Sequence, residues 1–217
     1  MSEFPKTSLN QVHRLPQRAS YDRDTIYRIV DEALICHVGF VEDGRPFVIP
    51  ISHGRLNDTL YMHGAPASRL LKHIQAGHPV CVSVAMVDGL VLARAASHHS
   101  MNFRSAVLFG HGRLVQSDEE KLQALEILTE AAAKGRWQEV RKPTQKELDA
   151  TLVVAIQIES ASAKSRSGPP GDDEEDYQLP VWAGVLPLRL DTLEPVADST
   201  LSAQVPVPES VRGYRRG

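Results

Sequence analysis

Phe47-Val48-Ile49-Pro50-Ile51-Ser52 opens the stretch of sequence that decides the fold of this chain. After a turn at Asn57-Asp58, the chain continues as Tyr61-Met62-His63-Gly64 and then as Ala67-Ser68-Arg69-Leu70-Leu71-Lys72. Two apolar runs separated by a short Asn-Asp turn predict a pair of strands, and the residues after Ser68 have the spacing of a helix. The sequence therefore places a loop of small residues at the start of a helix over 68–75.

The start of this predicted helix carries two cations, Arg69 and Lys72, which lie three residues apart on one helical face. Free amide groups and the positive end of the helix dipole favour an anion at such a position. Arginine binds a phosphate through two parallel hydrogen bonds, and lysine adds a point charge. The pattern predicts a phosphate site, with an ordinary solvated helix start as the alternative.

The rest of the chain has the pattern of an antiparallel β-protein with a few helices. Apolar residues at helical spacing predict a helix over 24–33, and Asp43-Gly44 and Asp88-Gly89 predict two hairpin turns. The expected strands cover 34–41, 46–52, 59–63, 79–86, 90–96, 103–115 and 151–158. Because strands and helices do not alternate regularly, we expect a mainly β fold, a closed or nearly closed antiparallel barrel with helices packed outside it, rather than a parallel doubly wound sheet.

Two capping boxes predict further helices, one starting after Ser117 and one after Thr144, each with a glutamate three residues later. Gly110 and Gly112 fall inside the expected strand 103–115, where a barrel wall can bend or bulge. The apolar stripe expected on the first of these helices consists of Leu122, Leu125, Leu128 and Ala132.

Composition places the chain among ordinary globular proteins. It has 217 residues, 42% hydrophobic content and a formal net charge of −3, so general attraction to nucleic acid is not expected. No apolar run is long enough to span a membrane, and we expect a cytoplasmic protein. Cys36 and Cys81 lie in apolar runs and are expected to be buried free thiols rather than a disulfide or a metal pair. The nine histidines are scattered, and we expect no metal site.

Three segments are expected along the chain: an arm over 1–20, a barrel domain over 21–160, and an extension over 161–217 that packs on the barrel or on a partner subunit. The arm is expected to be mobile or to lie over a partner. In the extension, the acidic run 172–176 is expected to be a solvated loop, and the apolar run 181–188 a strand or extended arm.

Six motifs follow one another in a fixed order over residues 20–190. They are Leu60-Tyr61-Met62-His63-Gly64-Ala65-Pro66-Ala67-Ser68-Arg69, Asp88-Gly89-Leu90-Val91-Leu92-Ala93-Arg94, His98-His99-Ser100-Met101-Asn102-Phe103-Arg104-Ser105, Phe109-Gly110, Ala163-Lys164-Ser165-Arg166-Ser167-Gly168-Pro169-Pro170 and Val181-Trp182-Ala183-Gly184. Together they resemble the flavin-nucleotide-binding branch of the pyridoxamine 5′-phosphate oxidase-like split-barrel family, which includes the 5-nitroimidazole-resistance (Nim) proteins.

This resemblance implies a homodimer with two FMN molecules in clefts between the subunits, each flavin touching both chains. It places the flavin ring along strand 47–52 and its phosphate on Ser68 and Arg69. The implied cofactor-binding residues are Phe47, Val48, Ile49, Pro50, Ile51, Ser52, Met62, His63, Ser68, Arg69, Lys72, Arg104, Ser105, Lys164 and Arg166. A flavin needs a cationic phosphate pocket, an apolar slot and a strand edge, and segment 47–51 offers the last two, with a plain core strand as the alternative.

The chain also departs from the oxidases that give the family its name. They place a lysine directly after the phosphate-binding arginine, where this chain has Leu70, and a glutamine where this chain has Ser105. Lys72 is expected to replace the missing cation. Their C-terminal tryptophan and arginine also have a different spacing here, where the tail offers Lys164, Arg166 and Trp182. These departures argue against pyridoxal phosphate synthesis.

The leading hypothesis is an FMN-binding oxidoreductase that passes electrons or hydride between reduced flavin and a small organic acceptor. His63 is the candidate catalytic residue, as a proton donor or ligand, with a hydrogen bond to the nearby loop as the alternative. Arg104 and Ser105 are expected at the flavin phosphate or at the dimer seam, unless Arg104 pairs with acids. A non-catalytic flavin or haem carrier and a deazaflavin (F420)-dependent reductase remain open as other functions.

Overall fold

A computed structural model gives the fold of this chain and describes residues 2–202 and 204–215. Within that part of the chain the strands are β1 (Ala19–Ser20), β2 (Cys36–Glu42), β3 (Arg45–Ile51), β4 (Gly54–Leu56), β5 (Thr59–Gly64), β6 (Pro79–Leu92), β7 (Ser100–Leu114), β8 (Leu152–Arg166) and β9 (Gly184–Pro187). The helices are α1 (Arg23–Glu32), α2 (Arg69–Gln75), α3 (Asp118–Ala132), α4 (Arg136–Glu139), α5 (Gln145–Ala150) and α6 (Glu209–Arg212). Short 3-10 helices lie at Pro16–Arg18, Ala96–His98 and Glu174–Gln178.

The strands form a sheet in the order β3-β2-β6-β7-β8-β5-β4, with β1 paired to β8 and β9 paired to β6. The pairs β1–β8, β2–β3, β4–β5, β5–β8 and β6–β9 are antiparallel. Since β3 and β4 end the order, the sheet does not close on itself. The predicted mainly β, antiparallel split-barrel fold is confirmed, in its open form.

The first predicted hairpin turn, Asp43-Gly44, is confirmed. Asp43 has φ 50 and Gly44 has φ 71, and both values lie in the left-handed region that a two-residue turn of this kind requires. The turn sets the register of β2 and β3, which pairs Glu42 with Arg45. This register fixes which side chains of the two strands share a face.

The second predicted hairpin turn, Asp88-Gly89, is wrong. Strand β6 continues through both residues, and the chain turns later, at Ala96–His98. Gly89 stands opposite Pro187 of β9, and a Cβ atom at Gly89 would lie 3.0 Å from the Val185 side chain. This glycine therefore allows a close approach by a strand from the far end of the chain, rather than a turn.

The chain forms two compact units. The first unit consists of Met1–Ala33, Ser83–Leu108 and Ser160–Leu190, and the second of Leu34–Val82, Phe109–Glu159 and Asp191–Gly217. The division of the chain into an arm, a domain and an extension stays a prediction.

The N-terminal arm packs on the first unit. Phe4 is 1% exposed, and its amide donates a hydrogen bond to the Tyr21 carbonyl. The Asn10 side-chain amide donates to the Ala161 carbonyl at 3.1 Å. The arm is thus held by its own chain. This differs from both expected arrangements, a mobile arm and an arm laid over a partner. Helix α1 was correctly expected, and the structure buries its residues Ile26, Ile29 and Val30.

The core of the second unit lies between helix α3 and the sheet. Its buried residues are Tyr61, Val115, Ala124, Leu128, Val153 and Ala155. The predicted stripe on α3 is partly wrong, because Leu122 is 37% exposed and Leu125 only flanks the core. The capping box at Thr144 is confirmed. At Ser117 the hydroxyl caps the helix, but Glu120 turns to Arg113 and Tyr61 instead.

Among the described residues, no helix combines the length and the apolar character needed to cross a membrane.

Candidate functional site

Helix α2 carries the three side chains predicted to bind a phosphate. Ser68 directly precedes the helix, and its hydroxyl oxygen accepts a hydrogen bond from the Leu71 amide at 3.4 Å. This contact caps the helix and sets the position of Arg69, its first residue. Lys72 lies three residues after Arg69, in the last turn of this seven-residue helix, and is exposed. The second unit therefore carries Ser68, Arg69 and Lys72 on one short helix and its cap.

The Arg69 side chain extends from the start of α2 to the β2–β3 hairpin. Its Nε atom is 3.2 Å from Glu42 Oε2, and its guanidinium carbon is 4.6 Å from the centre of the Phe47 ring. The Arg69 side chain is 53% exposed and that of Glu42 39%. Exposed ion pairs contribute about 0–1 kcal/mol, and exposed cation–π contacts about 0.5–1 kcal/mol. The guanidinium is oriented by its neighbours without being tightly held by them.

Strand β3 presents two faces, and neither is buried. The half-buried residues are Phe47, Ile49 and Ile51, and the exposed ones are Val48, Pro50 and, just after the strand, Ser52. Val48 is 66% exposed, which is unusual for a valine in a strand. The alternative interpretation of this segment as a plain core strand is therefore wrong.

The exposed side of β3 continues onto β2. Pro50 stands opposite His37, and Val48 stands opposite Gly39. A Cβ atom on Gly39 would lie 3.6 Å from the Cys81 carbonyl and 4.0 Å from Cys81 Cβ, so Cys81 flanks Gly39 on its other side. We define the Gly39 face as His37, Gly39, Val41, Val48, Pro50 and Cys81. Because Gly39 has no side chain, this face has a depression at its centre. Apart from His37, the residues around the depression are apolar.

Met62 and His63 point to opposite faces of β5, as successive strand residues do. Met62 is 0% exposed and belongs to the core. His63 stands opposite Val153 of β8 and remains exposed, but the neighbouring protein atoms desolvate its ring and lower its pKa from the ordinary 6.5. His63 is therefore mainly neutral near pH 7 and able to accept a proton or a metal.

The remaining predicted cofactor residues lie in the first unit, and their side chains contact other protein groups there. Ser105 donates to the Lys164 carbonyl at 3.1 Å, and the Lys164 ammonium donates to the Arg14 carbonyl at 2.8 Å. The Arg166 guanidinium donates to the Asn102 side-chain oxygen and to the carbonyls of the 168–169 turn. These contacts orient the side chains but leave the charges of Lys164 and Arg166 without a carboxylate partner among the described residues.

Arg104 is the exception, because two carboxylates bind it. Its guanidinium donates to both oxygens of Glu32 and to both oxygens of Asp88, with distances of 2.8 Å to Glu32 Oε1 and 2.7 Å to Asp88 Oδ1. The hydrogen bonds that Arg104 donates to Asp88 and Glu32 raise the pKa of the guanidinium above its usual value. The triad ties helix α1 to strands β6 and β7 within the first unit.

Replacing Arg104 by glutamine is expected to lower the free energy of unfolding by about 1–3 kcal/mol, because Glu32 and Asp88 would then face each other uncompensated. The lower half of this range is favoured by the 35% exposure of Arg104 and Asp88. Urea unfolding measures the change. Arg141→Gln, which removes a more exposed partner of Glu147, is the control and should destabilise the protein clearly less than Arg104→Gln does. Equal losses in the two variants would contradict the structural role of the triad.

One interaction was missed by the sequence analysis. Asp172, in the acidic run expected to be a solvated loop, has a side chain that is 0% exposed. It accepts hydrogen bonds from the Arg94 amide at 2.8 Å, the Arg94 guanidinium at 3.0 Å and the Ala95 amide at 3.3 Å, and these bonds lower its pKa despite burial. The acidic run is therefore partly a structural anchor. No local sequence pattern indicated this interaction, because Arg94 and Asp172 lie far apart in sequence.

The same region holds a group of possible metal ligands. One ligand atom each of His98, Asp172 and Asp176 lies within 4.8 Å of the others. Arg94 already neutralises Asp172, which disfavours a second cation on that carboxylate. The expectation of no metal site therefore stays a prediction.

Cys36 and Cys81 are free thiols, as expected, but the expected burial is confirmed only for Cys36, because Cys81 is half-buried. Burial raises the pKa of Cys36 to about 12 and also raises that of Cys81. Cys36 is 0% exposed, whereas Cys81 reaches the surface on the Gly39 face.

Comparison with known families identifies the group to which these features belong. A sequence model described as pyridoxamine 5′-phosphate oxidase matches residues 22–165. The chain belongs to this family. The resemblance inferred from the six motifs is thereby confirmed. No curated protein matches the sequence.

Solved structures of other family members extend the match to the whole chain. The flavocytochrome Anf3 from Azotobacter vinelandii is 38% identical, with a TM-score of 0.90 over 97% of this chain and 98% of that one. An FAD and heme binding protein from Mycobacterium smegmatis is 37% identical, with a TM-score of 0.86 over 90% and 96%. A putative 5-nitroimidazole antibiotic resistance protein from Bacteroides thetaiotaomicron is 26% identical, with a TM-score of 0.58 over 67% and 85%. The likeness to Anf3 therefore includes the C-terminal extension.

Proposed function

We propose that this chain is a flavin-binding redox protein that exchanges electrons or hydride with a small organic acceptor. The observation that carries the proposal is the 38% identity, over nearly the full length of both chains, to a protein described as a flavocytochrome. The FAD and heme binding protein supports it independently at 37% identity. When bound, the flavin supplies the redox chemistry, and the protein holds and orients it.

The residues of the second unit fit such a cofactor. The Gly39 face offers an exposed apolar surface for a planar ring, and an added side chain at Gly39 would fill its centre. Arg69, which already rests on Phe47, is the proposed phosphate ligand, with Ser68 and Lys72 beside it. Pro50 has no amide hydrogen and therefore fits a strand edge, where its carbonyl and that of Val48 point away from β2 and remain available for the polar edge of the ring. The same face gives the proposal its first test, by chemical labelling.

Iodoacetamide is expected to label Cys81 in the native protein and to leave Cys36 unmodified, because Cys36 is fully buried with a pKa near 12. Saturation with flavin should slow the labelling of Cys81 about tenfold or more, since a ring on the Gly39 face would cover it. Peptide mass spectrometry measures both rates, with denatured protein as the control in which both thiols react. Unchanged labelling of Cys81 in flavin-saturated protein would place the ring elsewhere.

The proposed cofactor is FMN, because Arg69 and Lys72 of helix α2 offer cations for one phosphate group. FAD is the competitor, since it is the flavin in the description of the protein from Mycobacterium smegmatis. Direct titration of the flavin-free protein with FMN, FAD and F420, followed by flavin fluorescence, separates the three. A protein that binds none of them, and that releases no yellow cofactor on denaturation, would overturn the proposal.

His63 is the proposed catalytic residue, as a neutral imidazole that exchanges a proton with the acceptor. Because the pKa of His63 is lowered from the ordinary 6.5, His63→Asn should abolish the pH dependence of acceptor reduction below about pH 6.5 while leaving flavin binding intact. Nitroaromatics, quinones and vitamin B6 phosphates are suitable acceptors for this assay. If the variant kept the wild-type pH profile, the role of His63 would be limited to contacts within the protein.

Haem binding is the second candidate function, because two relatives at 37–38% identity are described as a flavocytochrome and as an FAD and heme binding protein. Neutral, exposed histidines are suitable haem ligands, and both His63 and His37 are exposed. Titration with hemin should produce a Soret band. Its loss in His63→Ala but not in His37→Ala would assign the ligand, and its absence in the wild type would exclude this function.

A homodimer with flavin at the subunit interface is also part of the proposal. In the first unit, residues 181–190 expose large apolar side chains, including Trp182 at 67% and Leu190 at 71%. Exposed apolar side chains of this size favour burial against a partner. Light scattering should give about twice the 23.9 kDa of one chain. The free thiols agree with a reducing compartment, and we propose a cytoplasmic location.

A further inference from the structure

A polar groove of 550 Å³ lies in the first unit, at the point where the N-terminal arm joins the sheet. Strand β1 pairs with β8 so that Ala19 stands opposite Lys164. Because the strands are antiparallel, this register brings Arg18 beside the last residues of β8. Arg18, Ser20, Ser165, Arg166 and Ser167 all line the groove. Its volume falls in the range of small-molecule sites.

The two arginines give the groove an uncompensated positive charge. Across residues 2–202 and 204–215, no carboxylate pairs with Arg18 or Arg166, and no acidic residue lines the groove. Asp172 follows the lining residue Gly171, but its carboxylate is buried and bound to Arg94. The field in the groove therefore favours an anion.

Arg166 and Arg18 differ in how firmly they are held. Three neutral oxygen atoms, from Asn102, Gly168 and Pro169, accept hydrogen bonds from the Arg166 guanidinium. Arg166 is thus fixed in position with its charge intact. The Arg18 side chain is half-buried and has no such partner within the described chain, so all its donors are available to a ligand.

We propose that this groove binds the phosphate group of a small phosphorylated molecule. Two guanidinium groups match the charge and the planar hydrogen-bonding geometry of a phosphomonoester, and the three serine hydroxyls supply further donors. The groove accommodates one small ligand, and the overall charge of −3 argues against a polyanion such as nucleic acid. This site goes beyond the flavin site proposed above, which uses residues of the second unit; of the cofactor-binding residues that the resemblance implies, only Arg166 lines the groove, and we assign it here to a second phosphate site.

Calorimetric titration of the purified full-length protein with AMP, inorganic phosphate and adenosine tests the proposal. AMP and phosphate should bind and adenosine should not. Arg18→Gln should weaken AMP binding about tenfold or more through the loss of charged hydrogen bonds. Arg14→Gln, an exposed arginine of the same arm outside the groove, is the matched control and should bind as the wild type does. Equal binding by Arg18→Gln and wild type, or no binding of AMP at millimolar concentration, would overturn the proposal.

A second measurement does not depend on how the variants fold. Phenylglyoxal modifies exposed arginines, and AMP should protect Arg18 while leaving Arg14 reactive, as read by peptide mass spectrometry. Titrations repeated on FMN-saturated protein separate this site from the flavin phosphate: AMP that binds without displacing FMN supports the groove, and AMP that competes with FMN contradicts it. If the flavin proposal fails, the titration of the flavin-free protein still decides this one.

Titration with FAD distinguishes two possible sources of the phosphate group. If the natural ligand is the adenylate half of a dinucleotide flavin, Arg18→Gln lowers FAD affinity and leaves FMN affinity unchanged. If it is an independent phosphorylated metabolite, the variant leaves both flavin affinities unchanged and loses AMP alone. Both results place the phosphate in the groove.

Discussion

Arg69→Ala is expected to weaken FMN binding about 100-fold, because it removes two charge-assisted hydrogen bonds to the proposed phosphate position. Arg69 is suited to this role because it is already oriented by Phe47, at 4.6 Å, and held only by an exposed ion pair with Glu42. Flavin fluorescence titration of the flavin-free protein measures the change. Folding should be unaffected, since the lost ion pair is exposed.

Two further variants make the result specific to the phosphate site. Glu42→Gln is expected to tighten FMN binding a fewfold, because the carboxylate competes with the phosphate for Arg69. Arg45→Ala removes an exposed cation of the same hairpin and should leave the affinity within about twofold. A loss of similar size in Arg45→Ala and Arg69→Ala would show that only the overall charge matters. An unchanged affinity in Arg69→Ala would remove this residue from the site.

Gly110→Ala is expected to destabilise the protein by about 3 kcal/mol or more, or to prevent folding. A Cβ atom at Gly110 would lie 1.8 Å from the Gln157 carbonyl oxygen on β8. Both partners belong to the backbone of the sheet, so neither can move aside without breaking strand pairing. The free energy of unfolding in urea, or the soluble yield if unfolding cannot be followed, measures the effect.

Gly171→Ala is the matched control for this variant. A Cβ atom there would meet nothing within 4 Å, and its free energy of unfolding should stay within about 0.5 kcal/mol of the wild type. If Gly110→Ala unfolded at the wild-type urea concentration, the close approach of β7 and β8 at this point would be contradicted.

The features that local chemistry determines were predictable from the sequence. The turn at Asp43-Gly44 and the cap at Ser68 each depend on residues within three positions of one another. The capping box at Thr144 is equally local. The Asp43-Gly44 turn and the Ser68 cap also position the groups around Arg69, which contacts Glu42 and Phe47 of the hairpin.

The errors share a different origin, which is contact between residues far apart in the chain. Asp88-Gly89 has the sequence of a turn, but Asp88 binds Arg104 and Gly89 packs against β9. Asp172 looked like part of a solvated loop because its partner Arg94 is 78 positions away. Met62, which the resemblance assigns to the cofactor, is instead 0% exposed, because β5 is buried on both faces from Leu60 to Met62. Such tertiary constraints override local propensity.

Strand β3, at one end of the sheet order, carries Pro46 and Pro50 in alternate positions on either side of Val48. A proline inside a paired strand turns its nitrogen away from its neighbour, so the outer edge of β3 lacks the donors of residues 46 and 50 and keeps only the Val48 amide between them. A further strand could not form a continuous hydrogen-bond ladder with this edge. The prolines therefore disfavour aggregation through the edge of β3, and self-association at this strand is left to its exposed face.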